Sequence, residues 1–446
     1  NRKSRESHVS SPGVISEATV DSSDVGVNEY FSTNPDIYNT LGMVSANRKE
    51  INPTNVFSIA ALLAPSTARD DAKRTGFVSI QQEHTVPVVG YKQSHIRTGA
   101  ESSVALLANS DAFASSAEQD GEVISLTPKG LIVKYKDGLI RGHKLGRVHG
   151  KAEGSMYPHD LVANVKLGEK FAKGRVLTYN TLFFEEDFIV KGSIVIKNAM
   201  PATVALLEVS GTYEDACSLT PALAKKSLMP STKVKSITVD FKQHIKSIVK
   251  VNQEVMPGDI LAFVENEFGA DSSYSDDAVD TLSRISRQAP KSSIRGTIDK
   301  IEVLYHGDKQ DMSASLKALA DASDKELAYD RKSQNKPVVT GSVDTEYRVS
   351  GNSLLLDTAE IKIYISTLVT AAVADKGVFA NQMKSTLADV ISYTVTTEDG
   401  IPIDAMFGLQ SLLGRICNSP FDIGTTIPLL NAVSVNSAKM YFGEKS

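Results

Sequence analysis

The sequence predicts an α+β fold that is rich in β-structure. Alternating apolar and polar residues indicate strands early and late in the chain, a charged and serine-rich stretch separates them, and the helical patterns are short. Strands from both ends of the sequence must then meet in a common core. We therefore expect a sheet or barrel that is assembled from segments distant along the chain.

Composition limits the class of protein. A chain of 446 residues with 41% hydrophobic residues is too long for one compact core, and roughly two to four domains are expected. The net charge of -5 excludes a globally basic nucleic-acid-binding protein, so contact with a polyanion requires a local patch. The absence of a signal-peptide pattern and of a long apolar run predicts a soluble protein. The missing initial methionine indicates a processed, partial or fragmentary N-terminus.

The two cysteines provide a further limit. Cys217 and Cys417 lie far apart and have no CxxC spacing, which supports neither a zinc site nor a disulfide framework. A reducing compartment fits this usage, and both side chains are expected to be small buried apolar groups.

The N-terminal part of the chain is predicted to be loop and then helix. Residues 1–55 are rich in Ser, Asn, Asp and Pro, and are expected to be loop with short helices. Residues 57–84 have apolar positions at helical spacing, a break near Pro65, and a second, charged helix that is entered through Ser66 and Thr67. From Val86 to Asp137 the pattern changes to strands, most clearly around the turn TPKG.

The segment LIRGHKLGRVHGK, residues 139–151, is the most basic in the chain and is predicted to be a loop. Its candidate contact residues are Arg141, Lys144, Arg147 and Lys151, accompanied by His143 and His149. Such a segment is either a solvated loop or a contact with nucleic acid.

Two later segments resemble each other. VKLGEKFAKGRVL (residues 165–177) and VKVNQEVMPGDIL (residues 249–261) share a rhythm typical of short hairpins in barrels or sandwiches, with turns at glycine. Residues 265–344 are charged and serine-rich, and are expected to form a peripheral insertion that is helical around SASLKALADASDKEL. Strand patterns return from Tyr347 onward.

Familiar catalytic motifs are absent from the sequence. It contains no GxxxxGK[ST], GxGxxG, HExxH, GxSxG or Asp-x-Asp-x-Asp pattern, so a self-contained nucleotide hydrolase, dehydrogenase or metalloprotease is disfavoured. Four islands of charge remain: DDAKR at Asp70–Arg74, the pair Glu214 and Asp215, the lysines Lys376 and Lys384, and Arg415. Taken singly, they are ordinary features: a solvated helix face, an acidic helix cap, solvated lysines and an arginine in a structural ion pair.

Taken in order, the islands resemble motifs of the C-terminal half of the beta subunit of multisubunit DNA-dependent RNA polymerases, in a diverged form. The family's DDANR, followed by RQAVP, corresponds to DDAKR and HTVP, and its GYNFEDA corresponds to GTYEDA at Gly211–Ala216. The family's GDKMAGRHGNK corresponds to ADKGVFANQMK at Ala374–Lys384, with the interval between the lysines kept. DGTPVD and LGVPSRMNIGQ correspond to DGIPID and SLLGRICNSPFDIG. The resemblance spans nearly the whole chain, although GRHG between the lysines has become FANQ.

The resemblance implies roles for the basic residues. In the family, the two lysines belong to a double-psi β-barrel and face the RNA 3′ end and the incoming nucleotide, a role that falls here on Lys376 and Lys384. Arg74 and Arg415 would bind the β- and γ-phosphates of the nucleotide. Lysine acts as a point charge and arginine as a fork for paired oxygens, so the residue types suit these tasks.

The resemblance also implies that Mg²⁺ is the cofactor and that a partner subunit binds it. Glu214 and Asp215 would lie near the second Mg²⁺ without supplying its main ligands. Three aspartates of the beta-prime partner hold the metals in the family, so this chain alone is expected to be an inactive part of a nucleotidyltransferase.

A division into four regions follows from the same resemblance. The regions are a fork-loop and external or hybrid-binding region (1–110), the first part of the double-psi barrel with the hybrid-binding domain (111–230), a flap-like or wall-like insertion (231–345), and the second part of the barrel with the lysines (346–446).

A split and diverged beta subunit is characteristic of giant bacteriophages. The expected partners are an N-terminal beta part, beta-prime parts, a possible phage-specific specificity subunit, template DNA, RNA and nucleoside triphosphates, without a membrane. The expected location is the cytoplasm of the infected bacterium or the virion. Two alternatives stay open: a β-rich structural protein of a large phage, and a carbohydrate-binding or nucleic-acid-binding module that uses the basic segment 139–151.

Overall fold

The computed structural model describes residues 3–44, 50–152, 154–266 and 288–443 of the chain. Contacts within the chain divide it into two units. Unit 1 comprises Asn1–Ala108, Leu182–Met229 and Thr370–Ser446, and unit 2 comprises Asn109–Thr181 and Pro230–Val369.

Helices form a minor part of both units. In chain order they are α1 (Pro53–Val56), α2 (Ile59–Leu62), α3 (Ala72–Glu83), α4 (Glu101–Ala108), α5 (Pro221–Lys226), α6 (Ala314–Ser333), α7 (Leu409–Leu413) and α8 (Ser419–Phe442). Across the described ranges, no helix combines the length and apolar character needed to cross a membrane.

Strands dominate the structure, which confirms the β-rich α+β class. They are β1 (Ile15–Thr19), β2 (Glu29–Phe31), β3 (Ala114–Ser116), β4 (Gly121–Thr127), β5 (Gly130–Tyr135), β6 (Ile140–Lys144), β7 (Gly146–Ala152), β8 (Ser155–Ala163), β9 (Lys170–Phe171), β10 (Val176–Asn180), β11 (Phe184–Glu186), β12 (Ile194–Ile196), β13 (Val204–Leu206), β14 (Ala216–Leu219), β15 (Met229–Asp240), β16 (Gln243–Ile248), β17 (Glu254–Val255), β18 (Ala262–Asn266), β19 (Gly296–His306), β20 (Arg348–Val349), β21 (Asn352–Ser353), β22 (Thr358–Val369), β23 (Lys376–Phe379), β24 (Met383–Val390) and β25 (Ala405–Phe407).

The main sheet of unit 1 joins segments that are distant in sequence. Its order is β13-β25-β14-β24-β23, with β13 parallel to β25 and β14 parallel to β24, while the other pairs are antiparallel. Behind it lies an apolar cluster that includes Met383, Leu387 and Phe407 together with both cysteines, which are free thiols. The prediction of a sheet built from separated segments is thereby confirmed, as is the burial of both cysteines. The double-psi topology stays a prediction.

Unit 2 contains two larger sheets. One has the order β17-β19-β22-β15-β8-β10-β3, with β7 paired to β8, and the other has the order β6-β5-β4-β9. Alternation along β22, and along β19 on either side of the register shift between Ile298 and Lys300, directs Ile298, Val303, Ile361 and Ile363 into the main apolar cluster, against Leu316 of α6.

The two resembling segments form equivalent loops. The backbone N–H of Lys166 donates to Glu169 Oε2 at 2.7 Å, and that of Lys250 donates to Gln253 Oε1 at 2.9 Å. Gly168 and Asn252 occupy the same position in these loops, with φ of 76° and 67°. The shared rhythm therefore encodes a shared turn, although β9 and β17 pair with β4 and β19 and not with the strands that follow them.

The basic segment 139–151 was predicted wrongly as a loop. It forms β6 and most of β7, with β6 paired to β5 and β7 paired to β8. In β7 the polar residues Arg147, His149 and Lys151 alternate with Val148 and Gly150, but the high charge of the segment masked this period of two.

Other local predictions need correction as well. Residues 1–55 contain the paired strands β1 and β2, and α4 interrupts the stretch that was expected to be only strands. Helix α3 begins after its N-cap Asp71 and not at Ser66, which precedes a 3-10 turn.

The stretch that was expected to be a peripheral insertion is partly a central strand. Its helix is confirmed as α6, but β19 lies in the core of unit 2. Residues 267–287 of this stretch lie outside the described residues. The four-region division stays a prediction.

Candidate functional site

Lys376 and Lys384 lie on one hairpin of unit 1. The register of β23 and β24 places Lys376 opposite Thr386, and Val378 opposite Lys384. Residues that face each other across strands share one side of the sheet, so both lysines are on the same face as diagonal neighbours. Both are exposed, and neither has an ion-pair partner within the described part of the chain. The hairpin thus presents two hydrated positive charges.

The acidic pair precedes the neighbouring strand. Ala216 of β14 pairs with Thr386, the same residue that faces Lys376 on the other side. The Thr386 N–H donates to the Asp215 carbonyl at 3.0 Å. Glu214, just before it, has a positive φ of 52°, which bends the chain at the entrance to the strand. The acidic pair therefore lies at the end of the strand that pairs with the lysine hairpin.

Arg415 is bound to that acidic pair. Its Nη2 lies 2.7 and 2.6 Å from the two carboxylate oxygens of Asp215, and its Nη1 donates to the Ser411 carbonyl at 2.5 Å. The Ser411 hydroxyl donates in turn to the Glu214 carbonyl. This geometry matches the structural ion pair that the sequence left open as an alternative. Binding of a phosphate by Arg415 stays a prediction.

Arg74 lies in the first turn of α3, whose N-cap is Asp71. Its guanidinium carbon is 5.0 Å from the centroid of the Phe77 ring, a stacking that directs a long side chain. Burial raises the pKa of the Cys417 thiol, Asp70 raises it further, and Arg74 and Arg415 oppose the rise. The Asp71 N–H donates to the Ile416 carbonyl at 3.4 Å, so the segments that carry the two arginines are neighbours in unit 1.

One set of contacts was not predicted from the sequence. Asp70 Oδ1 accepts the backbone N–H groups of Asn418 and Ser419 at 2.6 and 2.9 Å, and Asp70 Oδ2 accepts Gln382 Nε2 at 2.6 Å. Asp70 had been noted only as the first letter of DDAKR. Its partners are more than 300 positions away, a separation that no local sequence pattern spans.

The candidate nucleic-acid residues of β6 and β7 belong to unit 2. Arg141 pairs with Glu118, and Arg147 binds Asp160 and Asp299, whose carboxylates raise its pKa. Lys144 is half-buried, and burial lowers its pKa, whereas Lys151 is exposed. A nucleic-acid role for these four residues stays a prediction.

The described part of the chain offers no cluster of metal ligands. Among residues 3–44, 50–152, 154–266 and 288–443, no group of three or more His, Cys, Asp or Glu side chains could hold a metal ion. Glu214 and Asp215 directly precede β14, which pairs with β24 of the lysine hairpin.

Fold and site together define a β-rich protein in which two free lysines, two arginines and an acidic pair belong to one unit. Comparison with curated proteins shows which known proteins the chain is similar to. The chain is 27% identical over 236 residues to a DNA-directed RNA polymerase subunit beta of Thermus aquaticus, which covers 48% of this chain and 20% of the relative. The subunit of Thermus thermophilus is 25% identical with the same coverage, and that of Desulforapulum autotrophicum is 25% identical over 252 residues.

The chain is therefore distantly homologous to the bacterial RNA polymerase beta subunit over about half of its length. The matched part spans about a fifth of the curated relatives. No family model matches the chain.

Proposed function

We propose that this chain is the C-terminal beta part of a multisubunit DNA-dependent RNA polymerase encoded by a phage, and that it contributes to nucleotidyl transfer. The distant homology supports the polymerase role. The observation that carries the site is the pairing of β14, β24 and β23, which brings the acidic pair and both lysines to one sheet.

Lys376 and Lys384 bind phosphate groups at the RNA 3′ end and on the incoming nucleotide. Negative charge grows on the transferred phosphoryl group and on the leaving pyrophosphate, and fixed cations in a water-poor site stabilise it. Both ammonium groups are free of carboxylates in the described part of the chain and are available for this role.

Arg74 and Arg415 bind the β- and γ-phosphates. A guanidinium presents paired N–H donors that match paired phosphate oxygens. Arg415 contacts both carboxylate oxygens of Asp215 through Nη2, so binding of a triphosphate requires that it share or exchange this carboxylate.

Glu214 and Asp215 face the metal-bound waters, while aspartates of a beta-prime partner hold Mg²⁺. The two carboxylates fit an outer role because they are exposed and too few to enclose a metal ion by themselves. Bound Mg²⁺ would neutralise the triphosphate and activate the 3′ hydroxyl. The further partners are the remaining polymerase subunits, template DNA and RNA, and the place of action is the cytoplasm of the infected bacterium or the virion.

The test uses the complex that copurifies with the full chain. Lys384→Ala removes one fixed charge from the transfer step, and we expect nucleotide addition to slow by about 100-fold or more. Assembly should be preserved because Lys384 is exposed and unpaired in the described structure.

Lys191→Ala is the matched control, since Lys191 is also an exposed lysine of unit 1 but lies outside the hairpin. Rates of single-nucleotide addition and gel filtration of each complex give the two measurements. Normal elongation by the Lys384→Ala complex would refute the proposal.

A further inference from the structure

Three segments of unit 1 that each carry a candidate cation meet at one carboxylate. Asp70 lies four residues before Arg74, Gln382 lies two residues before Lys384, and Asn418 lies three residues after Arg415. Asp70 binds Gln382 through Oδ2 and the backbone of Asn418 and Ser419 through Oδ1. One side chain thus links the approach to α3, the turn of the lysine hairpin and the start of α8.

The surroundings of this carboxylate are well ordered by further contacts. Gln382 is 1% exposed and Ser419 is 0% exposed, and Gln382 Nε2 also lies 3.2 Å from Ser419 Oγ. Asn381 Nδ2 donates to the Pro65 carbonyl at 3.3 Å, and Asn418 Nδ2 donates to the Arg69 carbonyl at 2.9 Å. The same three segments are therefore joined at several points around Asp70.

Asp70 also completes the start of α8. Asn418, the N-cap residue, makes no side-chain cap hydrogen bond, and Asp70 accepts N–H groups at this end instead. A carboxylate at a helix N-terminus satisfies unpaired donors and interacts favourably with the helix dipole. Gln382 meets the same carboxylate through a short bond in a buried place, where hydrogen bonds to a charged group are strong.

We propose that Asp70 is a positioning residue, which sets the relative placement of Arg74, Lys384 and Arg415 without touching the substrate itself. The inference rests on the proposed function, because the three cations are assigned to phosphates there. Small displacements of charged groups reduce transition-state stabilisation strongly, so loosening this link slows catalysis even in a folded complex.

The test combines two single variants and their double variant. Asp70→Asn places an amide against the amide of Gln382, and Gln382→Glu places a carboxylate against Asp70. In the double variant, the asparagine at position 70 can donate to the glutamate at position 382. The direction of the hydrogen bond is then reversed, and one negative charge is kept. Asp308→Asn is the control, because Asp308 also accepts a backbone N–H at a helical turn, from Gln310 at 2.9 Å, but lies in unit 2.

Two readouts are taken on the assembled complex. In single-nucleotide addition, each single variant should lower kcat/KM by about 10-fold or more, and the double variant should recover to within about 3-fold of wild type. In hydrogen exchange, amides of residues 382–386 and 416–421 should exchange faster in the single variants and return in the double variant, while the control changes neither readout.

The outcomes separate the two proposals. A wild-type complex without RNA synthesis refutes the polymerase function, and hydrogen exchange then decides the link at Asp70. An active complex whose kcat/KM is unchanged by Asp70→Asn overturns the positioning role. Impaired single variants that the double variant fails to rescue overturn it as well.

Discussion

Asp299 shows how a single residue of unit 2 depends on its surroundings. Its carboxylate lies at a register shift in β19, between Ile298 and Lys300, and its side chain is 8% exposed. It accepts from Arg147 at 3.1 Å, faces His149 Nε2 at 3.2 Å and accepts from the Ser366 hydroxyl. An irregularity in the strand thus delivers a charge to three partners, which is a common use of a bulge.

The pKa of Asp299 gives a prediction about acid stability. Burial by itself raises this pKa, but hydrogen bonds from His149 and Ser366 and the charge of Arg147 hold it below the ordinary value of 3.8. The unfolded chain therefore takes up the proton at higher pH than the folded chain. The stabilisation is complete above pH 3.8 and is lost as the pH falls through the lower folded pKa.

Replacement of Asp299 by asparagine should expose this effect. Asp299→Asn should lower the free energy of unfolding near neutral pH by about 1–3 kcal/mol, because the groups that bind the carboxylate lose its negative charge. The loss of stability on acidification should also become smaller. Urea unfolding at a series of pH values measures both, with Glu122→Gln, an exposed residue of β4, as the control. An unchanged acid dependence would contradict this assignment.

At the scale of elements, the sequence predicted what local patterns determine. Helix α6 follows from regular apolar spacing behind Ser313, whose hydroxyl oxygen caps the helix, and β4 and β5 follow from alternation around the turn TPKG. Strand β19 was missed because its apolar residues are interrupted by Asp299, Lys300 and Glu302. Asp299 pairs with Arg147 of β7, Glu302 accepts from the Tyr364 hydroxyl of β22, and Lys300 pairs with Glu302 within β19. The pattern of β19 alone does not reveal Arg147 or Tyr364, since they come from other strands.

The C-terminal end of α6 packs closely against β5 and β6, and this packing can be tested. A Cβ at Gly142 of β6 would lie 1.8 Å from the Gln334 carbonyl oxygen, and one at Gly130 of β5 would lie 2.1 Å from that of Ser333. The end of the helix therefore approaches two neighbouring strands closely, at positions where a side chain does not fit.

Gly142→Ala should move the last turn of α6 and lower the free energy of unfolding by about 2–3 kcal/mol, as overpacking does. Gly424→Ala is the control, because a Cβ there meets open space within α8 and alanine favours a helix. Denaturant unfolding with hydrogen exchange of residues 328–334 measures the change. Equal stability of the Gly142→Ala chain and the wild type would show that the helix end is not tightly packed.

At the scale of the whole molecule, the sequence indicated which distant segments meet but not how their charges pair. The order of the four islands predicted that they share one site, and the sheet of unit 1 joins the acidic pair to the lysine hairpin. An ion pair of Arg415 was an open alternative, but its partner Asp215 and the link at Asp70 were not predicted, because each depends on atomic distances between segments about 200 or more positions apart.

The exposure of the lysines leads to a prediction about the isolated chain. Ammonium groups in water attract phosphates weakly, and salt screens them, while the same charges act more strongly where water is excluded. We expect the isolated chain to bind a nucleoside triphosphate with a Kd of about 1 mM or weaker at low salt, to lose this binding as salt is added, and to make no RNA.

The assembled complex should bind the triphosphate more tightly and lose RNA synthesis when Mg²⁺ is chelated. Fluorescence titration with a labelled triphosphate compares the two, with Lys376→Ala/Lys384→Ala and Lys191→Ala as test and control. RNA synthesis by the isolated chain would show that the metal ligands lie within it, since neighbouring polypeptides would then be unnecessary.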